Sequence, residues 1–466
     1  MSRPGEATER LIFWLFVAGL AWVPYWYGSN DLIAWGINSI GFPGLAASYE
    51  ISLLIRGRNH PVAIGDLALP TGLFFATLLW IWFQTIAWTH LPLADPIWRM
   101  ASQALGTPLD GRITVSPDLT NLAAMRLATA ASVFWIALQL CRDDHRAVLL
   151  LKAVASIACA YAGFGIIASR FPAIALPALD LHPSKALASS TFINRNTFAT
   201  YAGLGLVAVS GLLLRHYRHE VAGGDAGWRL QLATVIEATG SKAALPLAGA
   251  FILLVALLLT GSRGGVIATG AGLLLLAFLS RPRGTGAARA LSIIGPVIVL
   301  ITATLFAFGG LFVDSIEQRG ISDSERLSVY LLTMRSILDS PLLGHGYGAF
   351  ADVFPLYRDR SLSVQGVWSE AHNTYLEVFQ GLGLMFGLML VASVILLVLS
   401  CLKGAIRRRE HVTAPRVAAS VAVLVGVHAM VDFSLQIQAV ALTFMALLGA
   451  GRAQADSPRT PAGQRP

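Results

Sequence analysis

The chain has 466 residues, 55% of them hydrophobic and only 13% charged. A soluble protein carries about a quarter charged residues, so this composition excludes a soluble globular enzyme and indicates a polytopic membrane protein. The formal charge of +8 reads as positive-inside charge meeting anionic headgroups, which outweighs a nucleic-acid reading.

Apolar runs of about 20 residues recur along the chain. They place twelve all-α spans at roughly 11–27, 32–55, 67–89, 119–140, 147–169, 197–214, 244–260, 265–280, 290–311, 373–402, 417–433 and 437–451. Residues 1–311 then form a membrane domain of nine spans, 312–372 a long loop, 373–451 three more spans, and 452–466 a Pro/Gly/Gln-rich disordered tail. Twelve spans put both ends on one side. With the N-terminus inside, 22 of the 34 Lys and Arg fall on cytoplasmic segments, so both termini are expected there. Leu11–Tyr27 lacks a small-residue cleavage site and is expected to be a span, not a cleaved signal. Cys141, Cys159 and Cys401 show neither a disulfide framework nor a metal cluster.

Two extracytoplasmic segments are long. The first, about His90–Thr120, reads as an interfacial loop with a short helix. The second runs from about Phe312 to His372, and a loop of that length is usually functional or folded. Within it Ser322 and Glu325 have capping-box spacing. Leu327, Tyr330, Leu331, Met334, Ile337 and Leu338 then fall at helical steps. An amphipathic helix lying against the membrane domain is expected. Pro341 ends it, and Gly344, Gly346 and Gly348 make a hinged return to His372.

Charged side chains at membrane depth are costly and usually face a working cavity. Leu247–Leu279 as one helix would be about 50 Å long, against a hydrocarbon core of about 30 Å. It must break, and Gly264-Gly265 offers the place. The new helix start favours anions, and Arg263 adds a guanidinium fork that suits phosphate. The competing reading is a snorkelling interfacial arginine. Arg326 opens the amphipathic helix, where a solvated helix face is the alternative. Asn194, Arg195 and Asn196 precede the sixth span and suit phosphate or sugar hydroxyls, against Asn196 as a plain helix cap. His372 has the chemistry of a general base for a sugar hydroxyl, against a polar residue capping the tenth span. Asn373 is placed to orient a neighbour, and Glu370 lies two residues away. His428 and Asp432 share a face at i, i+4 as a supporting or packing pair. No carboxylate cluster of metal-site type is legible, and no cofactor is expected.

These residues resemble the O-antigen ligase and polymerase family of bacterial envelope glycan enzymes. The likeness rests on Thr191–Ala199 (TFINRNTFA), Gly261–Gly265 (GSRGG), Arg326 with Tyr330, Asp339–Phe350 (DSPLLGHGYGAF), Ala371–Leu376 (AHNTYL) with Gly381-Leu382-Gly383, and Val431–Leu435 (VDFSL). It spans about 190–435. It implies a metal-independent, inverting glycosyltransferase of the GT-C type at the periplasmic face of the inner membrane. The implied donor is a glycan on undecaprenyl diphosphate, held by Arg263 and Arg326, with His372 as base. The acceptor expected first is lipid A–core. A growing glycan or a protein is the alternative acceptor, and a lipid-linked sugar transporter is the competitor from another class. Two departures stand out: Tyr330, where many members have tryptophan, and Gln438, where a proline is common.

Overall fold

The computed structural model describes residues 4–87, 93–171, 187–220, 239–281, 324–363 and 367–456, together with 237, 295 and 298. Of the expected ninth span at 290–311 only residues 295 and 298 fall in this set; the capping residue Ser322 lies outside it, as does the tail beyond 456.

The described residues are helical, with no strand among them. In chain order the helices are α1 (Pro4–Trp22), α2 (Leu32–Ile55), α3 (Ala68–Thr85), α4 (Pro96–Leu105), α5 (Pro117–Leu140), α6 (Asp144–Arg170) and α7 (Arg195–Glu220). They continue with α8 (Ala244–Leu259), α9 (Arg263–Ser280), α10 (Ser324–Asp339), α11 (Phe350–Val353), α12 (Thr374–Arg407), α13 (Thr413–His428) and α14 (Gln438–Ala455). Six helical segments are long and apolar enough to cross a membrane: Ile64–Thr85, Pro117–Leu140, Asp144–Arg170, Arg195–Arg218, Arg263–Ser280 and Thr374–Arg407. Ala244–Leu259 and Thr413–His428 are apolar but shorter. Helices α1, α2 and α14 occupy the positions of three further expected spans without meeting that measure.

Helix α7 lies at the centre, with 94% of its apolar window buried. Its small residues let neighbours approach closely, as in other membrane bundles. A Cβ on Gly203 would lie 2.4 Å from Thr269 of α9, one on Gly205 2.4 Å from Ala158 of α6, and one on Gly211 2.4 Å from Val417 of α13.

The break between α8 and α9 falls where a break was required but not at the expected glycines. Gly261 takes the left-handed turn at φ 60°. Ser262 caps α9, its hydroxyl accepting from the Gly265 N–H at 3.2 Å. Gly264 and Gly265 instead lie inside α9, where a Cβ on Gly265 would meet Ala199 of α7 at 2.6 Å.

Helix α12 is interrupted at Gly383 (φ 73°, ψ 169°). An interruption frees carbonyls that need donors. The segment 341–348 supplies them: His345 N–H donates to Gln380 O at 2.9 Å and Gly346 N–H to Gly381 O at 3.0 Å, while Leu384 N–H donates to Pro341 O at 2.7 Å. From α3, Trp80 Nε1 donates to Leu382 O at 3.0 Å and Gln84 Nε2 to Gly381 O at 2.8 Å. The expected glycine hinge is therefore a wedge hydrogen-bonded into a helix kink. The loop ahead of it is clasped by His345, whose Nδ1 meets Asp95 Oδ2 at 2.8 Å and whose Nε2 meets Ser336 O at 3.0 Å. Burial pulls the His345 pKa down, but Asp95 and the Ser336 carbonyl outweigh it and the net direction is up.

The amphipathic helix exists as α10, but its orientation differs from expectation. Val329, Leu332, Thr333, Ser336 and Ile337 are its buried face. Leu327, Leu331, Met334 and Leu338 are 43–67% exposed.

Two outcomes are expected. At Gly346 (φ 105°) a Cβ would lie 1.9 Å from the Thr114 hydroxyl, so Gly346→Ala should lower the melting temperature in detergent by several degrees. Gly270→Ala, with nothing within 4 Å, should leave it unchanged or raise it. The raised His345 pKa means that the folded chain holds that proton more tightly than the unfolded one. Its stabilisation is complete below the unfolded value of about 6.5 and is lost as pH rises through the higher folded value. Protection of 324–348 from hydrogen exchange should fall over that range, and His345→Gln should remove the pH dependence.

Candidate functional site

The site assembles where helix ends meet the turn at 429–437. Three helices present their N-termini there, and α14 starts directly after the turn. Asn194 caps α7, its Oδ1 accepting from Asn196 N–H at 2.7 Å; Asn194, not Asn196, is the cap. Asn373 caps α12, its Oδ1 accepting from Tyr375 N–H at 3.1 Å and Leu376 N–H at 3.2 Å. Ser262 caps α9, and Gly264 lies against the ring of His428 and against Val431. Helix N-termini carry partial positive charge and favour anions.

Arg263 is the first residue of α9. Its Nη1 is buried and has no hydrogen-bond partner. Arg326, on the first turn of α10, donates to Val431 O at 3.4 Å. Arg195 donates to Thr260 O at 3.3 Å across the α8–α9 break, so it braces the joint that carries Arg263.

His372 adopts a left-handed backbone (φ 54°), a conformation that costs a non-glycine residue roughly 1–2 kcal/mol. It is held there by Tyr330, whose hydroxyl donates to the His372 carbonyl at 3.0 Å, and by the adjacent Asn373, whose Nδ2 donates to Met430 O at 2.9 Å. Tyr330 thus touches the backbone of the candidate base, a link that no spacing in the chain reveals. The imidazole makes edge contacts with Trp368 and Phe433, at 5.5 and 4.9 Å between ring centroids. Its Nδ1 lies 3.9 Å from Asp432 Oδ1. That is too long for a hydrogen bond, and both atoms are buried without a partner. Nε2 is left on the opposite edge of a ring whose side chain is 21% exposed.

Asp432 is fully buried and ends a directed chain of hydrogen bonds. His428 Nδ1 meets the Thr200 hydroxyl at 2.5 Å, and Thr200 donates to Ser434 at 2.9 Å. Ser434 in turn donates to Asp432 Oδ2. His428 and Asp432 do not share a helix face, because α13 ends at His428. They are coupled through Thr200 and Ser434 instead. No spacing rule links residues 200 and 434, so the sequence could not show this.

A second polar cluster lies beside His372. Glu377 accepts from Ala371 N–H at 2.5 Å and from the Gln436 side chain. Gln436 O accepts from Arg126 Nη2, and the Arg126 guanidinium lies over Trp35 at 4.5 Å. Glu370 hydrogen-bonds Glu377; burial pushes its pKa up, and Glu377, Arg126 and His372 only partly offset this. Arg126 thus has a place at the site, which its position inside a span did not reveal. Gln438 is buried and accepts from Asn38 Nδ2 at 2.8 Å, so the departure from proline carries its own partner. Among the described residues no group of three His, Cys, Asp or Glu has metal-site geometry.

Residues 248–392 match the family model for O-antigen ligase (Wzy_C). That segment, less than a third of the chain, is similar to the O-antigen ligase family. The matched segment contains Arg263, Arg326, Tyr330, Glu370, His372 and Asn373; the motif at 194–196 and Asp432 fall outside it. No curated protein sequence matches the chain. The similarity and the apolar helices together support an integral membrane protein.

Thr200→Val keeps the side-chain shape but removes the hydroxyl that His428 Nδ1 and Ser434 share. An unsatisfied buried group costs roughly 1–3 kcal/mol. Thermal unfolding in detergent should show a clear drop, whereas Thr85→Val, at an exposed hydroxyl bonded to Trp82 O, should show little.

Proposed function

We propose that this protein transfers a glycan from undecaprenyl diphosphate to a hydroxyl of lipid A–core, as an inverting O-antigen ligase of GT-C type at the periplasmic face of the inner membrane. The observation that carries the reading is that three of the unpartnered buried atoms around one turn are those of a cation, an imidazole and a carboxylate: Arg263 Nη1, His372 Nδ1 and Asp432 Oδ1. A cation beside a capped helix start suits an incoming diphosphate. A partly exposed imidazole backed by a carboxylate suits a hydroxyl proton.

The acceptor oxygen attacks the anomeric carbon, and the bond from that carbon to the diphosphate oxygen breaks. The diphosphate leaves with the electron pair. His372 Nε2 takes the hydroxyl proton, and Asp432 stabilises the imidazolium that results. Arg263, Arg326 and the N-termini of α7 and α9 stabilise the charge developing on the leaving group. Arg195 acts by holding the α8–α9 joint. Asn194 and Asn196 shape the same helix start, and Asn373, Tyr330 and Glu370 hold the segment that presents His372. These roles need no metal, so transfer should survive EDTA.

Reconstituted transfer with undecaprenyl-diphosphate glycan tests the reading, with lipid A–core, free repeat unit or a peptide offered as acceptor. His372→Ala should keep donor affinity and lose about 10² to 10⁴ in turnover, the usual worth of general acid–base catalysis. A transporter needs no base, so a wild-type rate of donor processing in that variant would reject the transferase. Arg263→Ala should cost at least about tenfold in rate, which corresponds to about 1.4 kcal/mol, and lysine should rescue in part. Full transfer by Arg263→Ala under subsaturating donor would remove the arginine from the diphosphate site.

A further inference from the structure

The opposite ends of the same helices hold a second polar feature. A cavity of about 650 Å³ opens between the C-terminal ends of α12 and α14. It is lined by Lys403 and four arginines against two carboxylates, Glu410 and Asp456. Its floor is tight: a Cβ on Gly404 of α12 would lie 2.6 Å from Ala455 Cα of α14.

Two of the cations are already engaged. Arg408 Nη1 donates to the Gln454 carbonyl and, at 3.3 Å, to the Asp456 carbonyl. Arg452 Nη1 meets Asp456 Oδ2 at 2.5 Å. The side chain of Arg452 is only 6% exposed, yet its Nε is buried without a hydrogen-bond partner. Lys403, Arg407 and Arg409 line the same cavity, and among the described residues their side chains make no hydrogen bond or ion pair. A cavity with three uncommitted cations and an orphan guanidinium nitrogen suits an anion with several acceptor oxygens.

The approach to the cavity identifies the kind of anion. On α12, Ile395, Leu399, Lys403 and Arg407 follow one another at i, i+4 and so form one stripe. Ile395 and Leu399 are 50% and 52% exposed, and Leu388, seven residues before Ile395, is 58% exposed. One face of one membrane-spanning helix therefore runs from bare hydrocarbon into the cation-lined cavity. A free phosphate would use only the cavity. A phospholipid would use the whole stripe, with its acyl chain along Leu388, Ile395 and Leu399 and its phosphate among Lys403, Arg407 and Arg409.

We infer that this cavity binds the phosphodiester headgroup of an anionic phospholipid, on the membrane face opposite the glycan-transfer site. The site is separate from the chemistry at His372 and does not depend on it.

Native mass spectrometry of the full chain in detergent, titrated with phosphatidylglycerol or phosphatidylcholine, tests the inference. Wild type should retain phosphatidylglycerol in preference to phosphatidylcholine. The triple variant Lys403→Gln, Arg407→Gln, Arg409→Gln should bind it at least tenfold more weakly. A control triple at exposed basic residues towards the same face, Arg58→Gln, Lys152→Gln, Arg281→Gln, should bind as wild type. Each cation near an anionic headgroup contributes about 1 kcal/mol, so Lys403→Gln alone should cost roughly fivefold; this keeps the test open if the cavity triple fails to fold. Equal weakening in both triples would reduce the feature to diffuse surface charge and overturn the site. Equal binding of the two lipids would overturn it as well. Displacement of phosphatidylglycerol by inorganic phosphate would assign the cavity to a soluble anion and remove the lipid.

Discussion

The carbonyl groups of the turn at 429–433 accept hydrogen bonds from two separate elements. Arg326 of α10 reaches Val431, while Asn373 and Thr374 at the head of α12 reach Met430, Asp432 and, through the Thr374 N–H, Ala429. Ala429 and Asp432 of this turn are buried while Met430 and Val431 are partly exposed, and buried backbone groups must find partners within the fold. The same contacts that satisfy the turn fix Arg326, His372 and Asp432 relative to one another. Structural satisfaction and site geometry are here one requirement.

The site also follows from helix direction. Helices α7, α9 and α12 start at the site and end at the other face, so their dipoles add positive potential at one end only. The residues at the far end answer with cations at the C-termini, as Arg142 and Arg408 do for the last carbonyls of α14. Both the anion-favouring site and the basic far face thus derive from a single arrangement of helices.

Much of this is legible in the amino-acid sequence. Hydropathy located α5, α6 and α9 to within three residues, because long apolar runs are a strong local signal, while α7 and α12 run six and five residues past their expected ends. The length of Leu247–Leu279 required a break near Arg263, and the break is there. Its position was missed by three residues because Gly261, Gly264 and Gly265 look alike in sequence; only packing shows that Gly265 is needed against Ala199 and Gly261 for the turn. The outward face of α10 was misread for a related reason, since a helical stripe shows that a face exists but not which side is covered. The links among Thr200, Ser434 and Asp432, and between Arg126 and Gln436, join residues hundreds of positions apart or lie across an irregular turn. No periodicity encodes them.

The kink at Gly383 has a consequence for the order in which the chain is built. The donors to the opened carbonyls of α12 come from Trp80, Gln84, His345 and Gly346, and each is synthesised before α12. A nascent α12 arriving without them would carry bare carbonyls into hydrocarbon. Arriving last, it enters a slot whose polar partners already wait. Membrane insertion of this helix is thereby conditional on the earlier half of the protein, and a chain with α3 deleted should stall at that step and not at its own first spans.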